Sequence, residues 1–169
     1  RIAPCQCVIG PIPRGNWQET VLPRAREMEA DLTRHGVRVM LDARDEYTPG
    51  WKFAEWELRG VPLRLEIGPK DIEKAQVVLA RRDKRDPKAK LPTPMEGLPA
   101  AVVRLLDEIQ QALYARALQF RESHTQRVSS YDELKAVMEG RPGFVIAGWC
   151  GSAGWEAEIK AVAQATLRN

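Results

Sequence analysis

Histidine is scarce in this chain, with two residues in 169, and cysteine is nearly as rare, with three. His35 and His124 lie far apart in sequence, so no Ser/His/Asp or Cys/His set can be argued from pattern. Cys5, Cys7 and Cys150 are an odd number without framework spacing, which excludes a disulfide scaffold and points to a reducing, cytoplasmic compartment. Cys5 and Cys7 flank one residue, so on a strand they point the same way, as small fillers. No apolar run approaches the roughly 18 residues of a membrane helix, and no signal peptide opens the chain. A membrane is therefore not among the expected partners. A G-x-x-x-x-G-K phosphate loop is missing; the Gly151-Ser152-Ala153-Gly154 turn sits between a strand pattern and a helix pattern but lacks that signature. Charge of one sign is lacking too: the net charge of +3 is too small to name a partner. No catalytic centre can be read from these residues.

What is present is a globular balance, 44% hydrophobic and 29% charged, which excludes a disordered chain. The length suits one ordinary domain or two small ones. The chain begins at Arg1, runs almost at once into the apolar Cys5-Gln6-Cys7-Val8-Ile9, and stops at Asn169 after a helical pattern. Both ends read as cuts in a longer protein.

The central stretch is 49–82. Pro49-Gly50 opens a short helix that Gly60 stops, and it carries Trp51, Phe53 and Trp56. Residues three and four apart share a helix face, so Phe53, Trp56 and Glu57 form one cluster and Trp51, Glu55 and Leu58 another. An aromatic beside a carboxylate can read an unpaired base; the competing reading is that these aromatics are core. Val61, Leu63, Leu65 and Ile67 then alternate with Pro62, Arg64 and Glu66, the clearest strand in the sequence. Arg64 and Glu66 share its other face, where they either pair or meet a ligand.

Around this stretch, residues 4–12 read as a buried strand, 17–35 as a helix with Pro23 in its first turns, and 37–41 as a second strand. His35 reads as a helix cap. Val77-Val78-Leu79 suggests a central strand covered on both faces. Residues 83–97, with three prolines, read as a loop. Within 81–90, six basic and two acidic side chains give a local +4, either a solvated loop or a phosphate contact. From Leu98, a stripe of Val102, Leu105, Leu106, Ile109, Leu113, Ala117 and Phe120 predicts a long helix. A small unit follows: helix from Tyr131 to Met138, strand from Gly143 to Trp149, helix from Trp155 to Thr166. The expected fold class is α/β, a mixed sheet packed with helices, followed by a small α/β domain.

The run Gly50-Trp51-Lys52-Phe53-Ala54-Glu55-Trp56-Glu57-Leu58-Arg59-Gly60-Val61-Pro62-Leu63-Arg64-Leu65-Glu66-Ile67-Gly68-Pro69-Lys70-Asp71 closely resembles a signature of prolyl-tRNA synthetases of the archaeal- and eukaryotic-like type. Ala75 to Asp83, the opening Arg1-Ile2-Ala3-Pro4 and Gly148-Trp149-Cys150-Gly151 are also similar. The resemblance implies an anticodon-binding domain over 1–100, and the long helix with a zinc-binding-like domain over 101–169. It implies transfer RNA for proline as partner, ATP and magnesium used by a catalytic domain absent from this chain, and a homodimeric parent enzyme. Proline anticodons share two guanines, whose Watson–Crick edge offers two adjacent donors to a carboxylate. The expected RNA-binding residues are Glu57 or Glu66 as guanine acceptor, Phe53 as stacking face, and Arg64, Lys70, Arg81 and Arg82 as phosphate or base-edge contacts.

The family often carries a Cys-Gly-x-x-x-Cys-Glu zinc motif. Here Cys150-Gly151 is followed by Trp155-Glu156, so one thiolate remains and a tetrahedral site cannot be completed. Zinc is expected to be absent, with Trp149 and Trp155 filling the core instead. The alternatives are a free-standing accessory or protein-interaction module that reuses the anticodon-binding fold, and a small-molecule-binding α/β domain; without the resemblance the residues support only a soluble α/β domain.

Overall fold

A computed structural model of the chain describes residues 3–84, 90–140, 143–149 and 151–163. The chain divides into two compact units, Arg1–Leu113 and Tyr114–Asn169.

The first unit is built on a mixed five-stranded sheet of order β2-β1-β3-β4-β5. Its strands are β1 (Cys7–Pro11), β2 (Val39–Leu41), β3 (Leu63–Ile67), β4 (Gln76–Arg81) and β5 (Lys90–Pro94). β1 pairs in parallel with both β2 and β3, whereas β3–β4 and β4–β5 are antiparallel. The helices are α1 (Trp17–Thr20), α2 (Leu22–Arg34), α3 (Pro49–Leu58), α4 (Pro69–Glu73) and α5 (Leu98–Ser123). α5 runs across the boundary between the units.

One face of the sheet carries the main core. Cys7 and Ile9 of β1, Leu63, Leu65 and Ile67 of β3, and Val77 and Leu79 of β4 meet Ala25, Met28 and Leu32 of α2 and Val102, Leu105 and Ile109 of α5. Alternation along the strands makes this possible, because every second side chain points to that face. The other face is covered over β1, where Trp56 of α3 packs with Val8, Cys5 and Val61. Beyond it, Arg64, Val78 and Ala80 of β3 and β4 are only half-buried.

α3 starts where Thr48 caps it, its hydroxyl accepting from the Trp51 amide at 3.3 Å, with Pro49 at the position that lacks a partner anyway. It ends at Gly60, whose φ of 89° favours glycine.

Several sequence expectations are corrected. Residues 83–97 are not all loop, since β5 occupies 90–94. Prolines are tolerated there because β5 is an edge strand, and Pro92 and Pro94 alternate so that both missing donors fall on the unpaired side. The 17–35 helix is two helices separated at Val21. Val78 is half-buried, so β4 is covered on one face only. Cys5 and Cys7 do not point the same way: Cys5 precedes β1 and joins the Trp56 cluster, while Cys7 lies in the main core.

In the second unit, β6 (Thr125–Arg127) pairs in parallel with β7 (Phe144–Ile146), flanked by α6 (Tyr131–Gly140) and α7 (Ala153–Ala163). β6 was not expected, because Thr-Gln-Arg is too short and polar to carry a period. Leu134 and Ile159 are buried. Trp149 and Trp155 do not fill a core. They are 46% and 44% exposed and line a cavity of about 300 Å³ with Tyr131, Leu134 and Ile159. So short a unit buries only a small share of its apolar surface, and both indoles stay partly in solvent.

Candidate nucleic-acid interface

The half-open sheet face beside α3 gathers four of the expected site residues. Arg64 stands on β3 with its guanidinium 4.2 Å above the Phe53 ring centroid. Its Nη1 donates to Glu57 Oε1 at 2.6 Å and its Nε to Glu66 Oε1 at 3.0 Å. Lys90 Nζ, from β5, donates to the second Glu66 oxygen at 2.7 Å. Glu66 is thus used on both oxygens and only 8% exposed, whereas Glu57 is 55% exposed. Phe53 reaches this position because β1 has glycine beneath it. A Cβ on Gly10 would lie 2.7 Å from Phe53 Cε1.

The arrangement offers an aromatic ring, a planar cation, an ammonium and one exposed carboxylate within a single patch. Those are the groups that stack on and hydrogen-bond an unpaired base. The sequence pattern does not single out Lys90, because its partner Glu66 is 24 residues away and its segment, rich in proline, reads as loop.

The remaining expected residues lie outside this cluster. Lys70 is exposed on α4, just past the end of β3. Arg82 is exposed at the other end, its amide donating to the Pro62 carbonyl at 2.9 Å. Arg81 lies opposite Leu63 and so shares the core face. There it donates to Asp83 at 2.9 and 3.0 Å and to Glu108 of α5 at 3.1 Å. Those hydrogen bonds hold the Asp83 carboxyl below its ordinary value. Residues 85–89 of the basic stretch lie outside the described residues.

A second polar cluster, missed from sequence, anchors α3. Asp42 accepts from Trp56 Nε1 at 2.7 Å and from Arg44 Nε and Nη2 at 2.8 and 2.7 Å. Arg44 also donates to Glu55 at 2.6 Å, and Glu55 binds Arg59. Lys52 is fully buried, its ammonium donating to the Asp42 and Arg44 carbonyls at 3.3 and 2.8 Å. Burial alone would raise the Asp42 carboxyl, but the hydrogen bonds from Arg44 and Trp56 outweigh it and bring its pKa to about 2. Burial lowers the Lys52 ammonium.

The family model described as "Anticodon binding domain" matches residues 6–105, more than half of the chain. The chain belongs to the anticodon-binding domain family. Curated relatives extend the match. Proline–tRNA ligase of Roseiflexus castenholzii is 47% identical over 168 residues, covering 99% of this chain and 35% of that protein. Proline–tRNA ligase 2 of Clostridioides difficile is 46% identical over 170 residues, 99% of this chain and 34% of its own length. The Pyrococcus abyssi proline–tRNA ligase is 48% identical over 150 residues, 89% of this chain and 30% of its own length. The chain therefore spans about a third of the length of the curated relatives it matches.

Every residue of the Phe53–Glu57–Arg64–Glu66–Lys90 cluster falls inside the matched anticodon-binding domain. Among the described residues, no group of three or more His, Cys, Asp or Glu is placed to hold a metal ion. Cys150 lies outside them. No helix among the described residues is long and apolar enough to cross a membrane.

Proposed function

We propose that this domain reads the anticodon loop of proline transfer RNA, with Glu57 accepting from a guanine edge. The observation that carries the reading is the single patch formed by Phe53, Glu57, Arg64, Glu66 and Lys90 on an open sheet face. Glu57 suits the acceptor role better than Glu66, because it is exposed and has an oxygen free of the pairs described. Glu66 acts as a positioning residue that aims Arg64 and Lys90. Lys70 and Arg82 stand at the two ends of β3 and supply phosphate contacts along it. Arg81, committed to Asp83 and Glu108 on the other face, is assigned to holding α5 against the sheet.

The parent, on this reading, is a cytoplasmic, homodimeric proline–tRNA ligase using ATP and magnesium. Support comes from the relatives, which bear that name and are three times longer. This chain alone binds RNA and does not activate proline. Its second unit is proposed to hold no zinc, since the thiolate set is incomplete.

The test is binding of this chain to a proline anticodon stem-loop and to a copy with both guanines changed, at two salt concentrations. A preference for the guanine loop at both salts is expected. Equal, salt-sensitive binding to both loops leaves only the backbone term and defeats the reading.

A further inference from the structure

We propose that the second unit carries a binding site for an extended proline-rich segment, built from Tyr131, Trp149 and Trp155. The site lies wholly within the unit Tyr114–Asn169 and does not depend on the anticodon reading.

β6 and β7 run parallel, and each is followed by a helix. The cavity of about 300 Å³ opens at the carboxyl ends of both strands. Val128 to Tyr131 line it from the β6–α6 connection, Ala147 to Trp149 from the β7–α7 connection, and Trp155 from the first turn of α7. That end of a parallel sheet is where α/β folds hold their ligands, because the connections there vary without disturbing the strands.

Three aromatic rings supply the walls. Tyr131 and Trp155 meet edge to face, with centroids 5.1 Å apart and planes at 79°. The Lys135 ammonium lies 4.2 Å from the Tyr131 centroid, so that ring is held by two neighbours before any ligand arrives. Leu134 and Ile159 are the buried part of the lining, whereas Trp149 and Trp155 stay nearly half exposed.

The chemistry of the lining selects the class of ligand. None of the lining side chains carries a charge, which disfavours an ion as occupant. Their polar groups are instead placed to donate. The Tyr131 hydroxyl is buried and has no hydrogen-bond partner among the described residues. Each indole brings one N–H and no acceptor. Ser130 Oγ already accepts from the Glu133 amide at 3.2 Å, which leaves its hydroxyl hydrogen to donate. A proline-rich segment is the complement: apolar rings, carbonyl acceptors all along the backbone, and no N–H to compete for them. Its extended helix exists before binding, so little ordering entropy opposes docking against aromatic walls. A buried hydroxyl without a partner opposes folding, and here it gains one when such a carbonyl arrives.

The test titrates the full chain with a capped peptide of about eight prolines and with a Gly-Ser peptide of equal length. Saturable binding of the proline peptide, at least about tenfold tighter than the Gly-Ser peptide, is expected. Equal binding of the two, or none, overturns the proposal. Tyr131→Phe keeps the ring and removes the donor. It is expected to weaken the proline peptide about five- to tenfold while the melting midpoint of the free chain holds or rises, since an unpaired buried hydroxyl has gone. Unchanged affinity, or a lowered midpoint, would show that the hydroxyl has no part in binding or is bonded within the fold, and either defeats the assignment. Trp155→Ala is expected to abolish binding, and Trp51→Ala, in the exposed stack with Tyr47 of the first unit, to leave it unchanged. The reverse would move the contact to α3. Displacement of the proline peptide by tetramethylammonium would identify a cation cage and also sink the proposal. Where Trp155→Ala does not fold, the wild-type indole N–H resonances of Trp149 and Trp155 decide: both shift with the proline peptide, or the site is not there.

Discussion

Two arginines flank α3, and each is gripped by two carboxylates beside aromatic rings. Arg44 is held by Asp42 and Glu55 and lies 5.2 and 5.6 Å from the stacked rings of Tyr47 and Trp51. Arg64 is held by Glu57 and Glu66 over Phe53. The difference lies in the acids. Asp42 is almost completely enclosed and is shared with Trp56, so its pairing is one that folding completes and nothing replaces. Glu57 faces solvent, so one of its bonds can be traded. Similar residue chemistry on two sides of one helix thus gives a closed anchor and, on the proposed reading, a recognition surface, and burial decides which is which.

Removing the anchor should have the largest effect. Asp42→Ala strips the partner from a buried indole N–H and from Arg44, and should cost about 3–5 kcal/mol in denaturant unfolding. A loss under about 1 kcal/mol would erase the contrast between the clusters. Gly10→Ala is next. Its methyl would strike Phe53 Cε1 and force the ring to move, costing about 1–3 kcal/mol and weakening the guanine preference in stem-loop binding. Unchanged binding would separate Phe53 from recognition.

Acid sharpens the same comparison. The folded pKa of Asp42, about 2, lies below its ordinary 3.8. Its pairing therefore stabilises fully above about pH 4, and that contribution, about 2 kcal/mol, is lost as pH falls through about 2. Stability curves of wild type and Asp42→Asn should converge across that window; parallel curves would assign acid sensitivity elsewhere. The smallest stability effect belongs to Glu57→Gln. It should stay within about 0.5 kcal/mol of wild type while guanine preference falls about tenfold. A large stability loss there would make Glu57 part of the anchor.

Local pattern made α3 and β3 legible, and placed Arg64 beside Glu66, because helix spacing and strand alternation are written in neighbouring residues. What stayed hidden depends on distant ones. Asp42 meets Trp56 across 14 residues and Lys90 meets Glu66 across 24. Lys52 is buried against the usual habit of lysine because two backbone carbonyls, at Asp42 and Arg44, converge on its ammonium. The aromatics on α3 divided three ways: Trp56 is core, Phe53 lines the patch, and Trp51 is exposed in a stack with Tyr47 at 4.1 Å. Helical period placed Phe53 beside Glu57, but burial on each side of the helix is a property of the sheet beneath it.

The prolines of β5 have a consequence for assembly fidelity. A strand slipped by one place would turn Lys90 to the opposite side of the sheet and leave Glu66 without its ammonium. That slip would also aim Pro92 and Pro94, which have no amide hydrogen, at the acceptors of β4, forfeiting two rungs at once. The same two rings blunt the outer edge against a stray strand from another molecule. Two residues unsuited to a sheet interior thus act as a key that fits in one alignment, admitting the lysine to its place and keeping other chains out.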